Sequence, residues 1–226
     1  MIGNKKVSAI LLIAGNSTRF NGTVNKNLER IKNLPIFLYS LNVLTSNNYI
    51  DDVFLVAKPD ELDLVSLEIN SISFSKNISI IAGGASRQES VYNALQASDA
   101  DLVVIHDGAR PMIKNEYIDD SLAELSHYTG TTIAVKSKDT IKISDDNDVV
   151  METTKRQNTW IIQTPQCFDR KVLLEAHIKQ NGNPDITDDC MMLEKEGYQI
   201  KLIEGDYTNI KVTTKEDLNI IKELLK

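Results

Sequence analysis

The sequence is short of several things, and each shortage excludes something. Its 226 residues include two cysteines, Cys167 and Cys190, and three scattered histidines, His106, His127 and His177. Neither cysteine has a second Cys or a His at metal-ligand spacing, so no zinc motif is legible. A reduced, cytoplasmic chain is the simplest expectation. No apolar run approaches the roughly 20 residues of a membrane span. Cations are outnumbered: 25 Lys and Arg against 32 Asp and Glu leave a formal charge of −7. That argues against coating nucleic acid, while a local cation cluster for phosphate ligands stays open. There is no G-x-G-x-x-G, no Walker loop and no Ser/His/Asp constellation. With 10 Gly, 5 Pro and 25% charged residues, disorder, collagen and low complexity are excluded.

Lys5 and Lys6 precede an apolar run, VSAILLIA at 7–14, long enough for the core of a signal peptide. The same run reads equally well as a first buried strand, and the chemistry-bearing residues after it favour that reading. Gly3 is not at the second position, so myristoylation is not supported.

Short apolar runs then alternate with helical patterns. Strands are expected at 7–13, 52–57, 78–82, 102–106 and 131–135. All are rich in Val and Ile and apolar on both faces, as in a covered parallel sheet. Pro35 and Pro59 are placed to open helices, the first carrying Ile36, Tyr39, Leu41 and Leu44. Ser86 and Glu89 form an S-x-x-E capping pair before Val91, Ala94 and Leu95. Asn115 is expected to cap a helix with Ile118, Leu122 and Leu125. This alternation predicts one α/β domain over 1–226 with a doubly wound, mostly parallel sheet. Residues 136–158 break the pattern. They are polar, with short β-like patches and no helix, and read as a loop or an arm leaving the domain body. Beyond them come a short strand at 160–163, a helix from about Asp169 with Gly182 near its end, and a helix from Thr187 to Gly197. A strand pair at 199–204 and 209–212 and a helix starting at Thr214, with Asp217 as its second capping residue, complete the chain.

Chemistry concentrates where strands end. The first strand runs into AGNSTRF, 14–20, where Ala14 and Gly15 allow close backbone approach, and Arg19 and Lys26 supply charge for phosphates. GGASRQES, 83–90, puts two glycines at a strand's carboxyl end, where α/β proteins bind ligands, although a capped helix alone also explains Ser86 and Glu89. VVIHDGARP, 103–111, ends a buried strand in Asp107, placed to hold Mg²⁺ against a triphosphate or simply to form a turn. His106 is expected to point inward. KDTIK at 138–142, KRQNTWIIQTPQCF at 155–168, ITDD at 186–189 and NIKVTTKEDL at 209–218 follow.

In that order these segments resemble the 2-C-methyl-D-erythritol 4-phosphate cytidylyltransferases, and the resemblance runs from Val7 to about Leu218. It implies a Rossmann-like nucleotidyltransferase fold with a protruding β-arm, Mg²⁺, and a homodimer in which the arms at about 136–158 embrace the partner. It implies transfer of CMP from CTP to a sugar-alcohol phosphate with release of pyrophosphate, in non-mevalonate isoprenoid synthesis, with neither nucleic acid nor membrane as partner. Carried over by position, Arg19 and Lys26 would face the triphosphate, with Ala14 and Gly15 in the CTP loop. Gly84, Ala85 and Ser90 would recognise cytosine and ribose, and Asp107 would hold metal and substrate. Arg110, Thr140, Arg156, Thr164, Thr187 and Lys211 would surround the acceptor phosphate, Lys211 as a catalytic cation. Two departures stand out. Ser17 occupies the place of a second loop glycine, and Asn25 and Asn27 flank Lys26 where the family has P-K-Q. The cation survives and its rigid neighbour does not, which bears on loop order and efficiency rather than on fold. A ribitol 5-phosphate cytidylyltransferase and a CTP-binding module that has lost catalysis are the alternative readings.

Overall fold

Apolar stretches buried on both faces build the centre of the molecule. The computed structural model describes residues 3–15, 25–180, 183 and 185–226. β1 (Val7–Leu12) is followed by a small hairpin, β2 (Arg30–Ile31) and β3 (Leu34–Pro35), which leads into α1 (Ile36–Ser46). Then come β4 (Asp52–Ala57), α2 (Leu62–Asn70), β5 (Asn77–Ala82), α3 (Arg87–Ala97), β6 (Leu102–Asp107), α4 (Asn115–Glu124) and β7 (Gly130–Lys136). A second hairpin, β8 (Lys142–Ser144) and β9 (Val150–Thr153), precedes β10 (Trp160–Asp169), α5 (Arg170–Lys179), α6 (Asp189–Lys195), β11 (Ile200–Glu204) and α7 (Lys215–Leu224).

The main sheet has seven strands in the order β11-β7-β10-β6-β1-β4-β5. β1 pairs in parallel with β4 and with β6, β4 with β5, and β11 with β7; β10 alone runs antiparallel, between β6 and β7. Strand order therefore reverses around β1, and the crevice beyond the carboxyl ends of β1 and β6 is where such a sheet binds ligands. Alternate side chains feed two cores. Val7, Ala9 and Leu11 of β1 pack with Phe37, Leu41, Val65, Ile118 and Leu122 from α1, α2 and α4. Ile10 points the other way, toward a core shared with Val91, Leu95, Leu173 and Leu193 of α3, α5 and α6. α7 closes a third cluster through Leu218 and Ile221 against Ile31, Ile36 and Val212. The doubly wound, mostly parallel sheet expected from the sequence is borne out.

Several local expectations are corrected. Asn115 is the first residue of α4, not its cap; its side chain accepts from Asn47 Nδ2 at 3.1 Å instead. Pro35 caps α1 from outside rather than occupying its first turn. Asp188, not Thr187, caps α6, its carboxylate accepting from Met191 N–H. The capping pair of α3 is half realised: Ser86 accepts from Glu89 N–H, while the Glu89 carboxylate accepts from Ala85 N–H. The Thr214–Asp217 box of α7 is complete. The expected strand at 209–212 does not form. That segment is tied by Val212 N–H to Ala109 O at 2.8 Å, which draws it toward the end of β6 rather than alongside β11. The strand expected at 160–163 continues to Asp169 across Pro165, whose missing N–H is tolerated where the register with β7 shifts between Ile162 and Gln166. Gly182 lies outside the described residues.

Candidate active site

The end of β1, the turn after it, the β4–α2 and β5–α3 loops, the end of β6 and the segment before α7 surround one cleft of about 580 Å³. It collects eight residues singled out from the sequence: Ala14, Gly15, Lys26, Gly84, Ala85, Ser90, Asp107 and Lys211. Lys58 and Arg87 also line it, as do Asp60 and Asn27. Four described cations thus face two carboxylates, a local excess that suits a polyphosphate in a chain of net charge −7.

Close packing explains two of the glycines. A Cβ on Gly108 would come within 2.5 Å of Ile13 Cγ2, because the turn after β6 lies directly on the end of β1. A Cβ on Gly84 would sit 2.2 Å from Glu89 Cγ, where the Glu89 side chain folds back to the Ala85 amide. Gly84 N–H in turn donates to Ser90 Oγ at 3.1 Å. Both amides are thus satisfied within the loop.

Asp107 ends β6 and is 8% exposed. Lys211 Nζ lies 2.6 Å from its Oδ2, Arg87 Nε 3.7 Å from its Oδ1 and Arg110 Nε 4.0 Å from its Oδ2. Burial pushes this carboxyl up, but Lys211, Arg87 and Arg110 outweigh that and hold it well below the ordinary range. Arg87 bridges to a second carboxylate, Asp189, at 2.7 Å, and His177 Nε2 lies 3.2 Å from the other oxygen of that group. Burial works against the Arg87 charge, and Asp189 and Asp107 more than restore it.

His106 points inward as expected. Its Nδ1 is 2.9 Å from Thr164 Oγ1 and its Nε2 is 3.1 Å from Arg110 O. Burial drives its pKa down to about 4, so the ring is neutral. Nε2–H then donates to Arg110 O, and Nδ1 accepts from the Thr164 hydroxyl, which itself accepts from Asp107 N–H at 3.2 Å. The backbone at Asp107 and Arg110 is thereby tied to β10.

The remaining sequence candidates lie apart from the main cleft lining. Arg110 sits against Asp107, donating to Asn209 O at 2.8 Å. Thr164 is buried in the network just described. Thr187 lines a smaller adjoining cavity with Ser86, Arg87 and Asp188. Thr140 and Arg156 are exposed on the arm, and Arg156 Nη2 donates to Thr140 Oγ1 at 3.0 Å. Arg19 and Ser17 lie outside the described residues. No group of three His, Cys, Asp or Glu side chains that could hold a metal exists among the described residues. The donor set nonetheless fits Mg²⁺, which takes as little as one carboxylate and completes its shell with substrate phosphates and water; Asp107 supplies one ionised carboxylate in the cleft.

Comparison with known proteins decides what this arrangement belongs to. A family model described as 2-C-methyl-D-erythritol 4-phosphate cytidylyltransferase matches residues 7–226. The chain belongs to that family. It is 38% identical over 224 residues to the Clostridium botulinum enzyme of that name, covering 98% of both chains. It is 39% identical over 225 residues to the Alkaliphilus oremlandii one, covering 98% of this chain and 95% of the other. The solved structure of the 4-diphosphocytidyl-2C-methyl-D-erythritol synthase from Anaerococcus prevotii superposes with a TM-score of 0.87 at 30% identity, covering 98% of each. The cytidylyltransferase class expected from the motifs is borne out. Three charged residues of the cytidylyltransferase cleft, Lys58, Asp60 and Arg87, escaped the sequence reading. Arg87 lies inside the quoted GGASRQES, one step past the capping serine, and Lys58 follows a strand's carboxyl end directly. A cation at such a strand end was the available signal.

Proposed function

We propose that the cleft transfers CMP from CTP to 2-C-methyl-D-erythritol 4-phosphate and releases pyrophosphate, supplying isoprenoid precursors by the non-mevalonate route in the cytoplasm. The observation that carries this is the convergence of Lys26, Lys58, Arg87 and Lys211 around Asp107 at the β1/β6 crevice. Nucleotidyl transfer needs positioning and charge stabilisation more than a covalent nucleophile. The acceptor phosphate attacks the α-phosphorus of CTP in line as pyrophosphate leaves on the far side. Lys26, with Arg19, neutralises charge on the triphosphate. Lys211, fixed by Asp107, faces the oxygens on which charge develops. Ala14 and Gly15 admit the nucleotide to the end of β1, and Gly84, Ala85 and Ser90 read the cytosine and ribose. Arg110, Thr164 and Thr187 form the acceptor side with Thr140 and Arg156.

Mg²⁺ would be held by Asp107; when bound it would offset phosphate charge. The whole chain acts as one nucleotidyltransferase domain, and the arm at 136–158 joins two copies into a homodimer. The arm's exposed apolar side chains support this: Ile143, Val150 and Met151 stand 48%, 54% and 71% exposed on a two-stranded hairpin, a surface that pairing with a second copy would cover. Thr140 and Arg156 then complete the partner's acceptor site. Among the described residues no helix is long and apolar enough to cross a membrane.

Pyrophosphate release from CTP, followed with a panel of polyol phosphates, tests the reading. Turnover with methylerythritol phosphate supports it. Turnover only with ribitol 5-phosphate moves the acceptor, and CTP binding without pyrophosphate release with any acceptor leaves a binding module.

A further inference from the structure

Lys26 is flanked by asparagines where the resemblance leads one to expect a proline and a glutamine, and these two side chains are almost completely buried, Asn25 at 3% and Asn27 at 2% exposed. Burial of carboxamides is costly unless they are hydrogen-bonded. Asn25 uses both ends. Its Oδ1 accepts from Asn27 N–H at 3.1 Å and from Asn27 Nδ2 at 3.0 Å. Its Nδ2 donates to Ile13 O at 2.8 Å and to Glu61 Oε2 at 2.7 Å. Asn27 Nδ2 also reaches Ile13 O, at 3.1 Å. Both neighbours of Lys26 are therefore anchored on one carbonyl at the end of β1. Asn25 is held at φ −59°, ψ 122° as the cap of the single 3-10 turn Lys26–Leu28. That φ is the one a proline ring would impose.

We propose that Asn25 is a positioning residue for Lys26: its carboxamide, locked between Ile13 O, Asn27 and Glu61, replaces the covalent constraint of a proline and sets the Lys26 backbone for the triphosphate. The Glu61 bond gives the device a second reach. Glu61 closes the turn Pro59–Glu61, and Lys58, Pro59 and Asp60 form the facing wall of the cleft. One hydrogen bond thus couples the wall bearing Lys26 to the wall bearing Lys58. The inference rests on the proposed role of Lys26 in the preceding section.

The test measures kcat and KM for CTP in Asn25→Ala, Asn25→Pro, Lys26→Ala and the double variant Asn25→Ala/Lys26→Ala of the full chain. A displacement of about 1 Å costs on the order of a hundredfold in rate. Asn25→Ala is therefore expected to lower kcat about tenfold to a hundredfold, with KM changed by less than about threefold. Asn25→Pro restores the φ constraint without the carboxamide and is expected to keep kcat within about threefold of wild type. In the double variant, Asn25→Ala adds less than about twofold to the loss from Lys26→Ala, because it acts through that lysine. Should Asn25→Ala fail to fold, Glu61→Ala and Glu61→Gln stand in, the first expected to lose kcat and the second, which keeps an acceptor oxygen, to retain it. The proposal is overturned if Asn25→Pro falls as far as Asn25→Ala, if Glu61→Gln falls as far as Glu61→Ala, or if the two losses multiply in the double variant. Wild-type turnover in Lys26→Ala would instead sink the Lys26 assignment. An impaired Lys26→Ala beside an unimpaired Asn25→Ala rejects the positioning role alone.

Discussion

Lys211 Nζ lies 2.6 Å from Asp107 Oδ2, a bond that joins the segment before α7 to the end of β6 at the mouth of the cleft. Asp107 is also approached by Arg87 and Arg110, so its charge stays compensated when Lys211 is removed. Removing the part-exposed lysine therefore leaves no uncompensated buried charge, the outcome that makes loss of one partner of a buried pair costly. In the proposed mechanism its charge faces the developing phosphate oxygens. Lys211→Met, which keeps the apolar stem, is expected to lower kcat about 10²- to 10³-fold, by analogy with loss of one oxyanion donor. Steady-state kinetics together with a thermal melt check this; a lowered Tm with undiminished kcat would show a purely structural lysine.

The proposed role of the β5–α3 loop in selecting cytosine rests on which groups that loop has left to offer. Gly84 and Ala85 amides are satisfied by Ser90 and Glu89, leaving carbonyl oxygens to accept from the cytosine amino group. Uracil presents an acceptor there, so discrimination by kcat/KM could reach about 10⁴. Glu89→Ala releases the Ala85 N–H as a donor suited to uracil, and is expected to erode the CTP preference about tenfold, the worth of one hydrogen bond. Equal use of CTP and UTP by the wild type, or unchanged preference in the variant, contradicts this account of the loop.

Arg156 and Thr140, paired on the exposed arm, make a shared site testable. An Arg–phosphate contact is bidentate and charge-assisted, so Arg156→Ala should raise the acceptor KM far more than the CTP KM. Asp107→Ala should disable the site through its own subunit. In a mixed dimer of the two variants, one site carries both lesions and the other neither. Random exchange then leaves about a quarter of sites intact, and activity should recover toward that fraction. Exchange without recovery, with subunit mixing verified by a tag, would place Arg156 in its own chain's site.

Both thiols are expected to be inert in the folded protein. Cys167 and Cys190 are buried. Burial pushes the Cys167 thiol up to about 12, and burial reinforced by Asp188, Asp189 and Glu194 raises that of Cys190 as well. Thiolate, the reactive form, is therefore scarce at neutral pH. Ellman titration should detect no thiol in the native state and two after guanidinium unfolding, matching the two cysteines of the chain. Rapid native labelling of either would show that its helix–sheet packing opens readily.

The inner parallel strands were legible because burial on both faces writes a continuous apolar run, as in Asp52–Ala57, which forms over the expected span; the edge strand β5, expected to be covered as well, has no fully buried residue, because it has a neighbour on one side only. The buried second half of β10 was hidden for the opposite reason. Thr164, Pro165 and Gln166 look like a loop, yet Thr164 and Gln166 are buried in the sheet, where His106 and Asp107 bond the Thr164 hydroxyl and Asp188 and Thr132 accept from Gln166 Nε2. Those partners lie 22 to 58 residues away in sequence, beyond the range of any local pattern. The same holds for Asn25, whose bond to Glu61 spans 36 residues. Strand-end motifs exposed most of the cleft, because backbone approach and charge are written locally. The bridge from Arg87 to Asp189 spans 102 residues, and only the fold brings it together.

Transfer of label tests the central claim most directly. CTP labelled at the α-phosphorus is incubated with methylerythritol phosphate and Mg²⁺, and the products of wild type and of Asp107→Asn are separated. The account predicts that the wild type moves the label into a cytidine diphosphate ester of the acceptor, one pyrophosphate appearing for each ester. It predicts that Asp107→Asn, which keeps the shape of the side chain and loses its charge, forms that ester at least about a hundredfold more slowly. Label recovered only as unreacted CTP or as free CMP in the wild type, or full ester formation by Asp107→Asn, would contradict it.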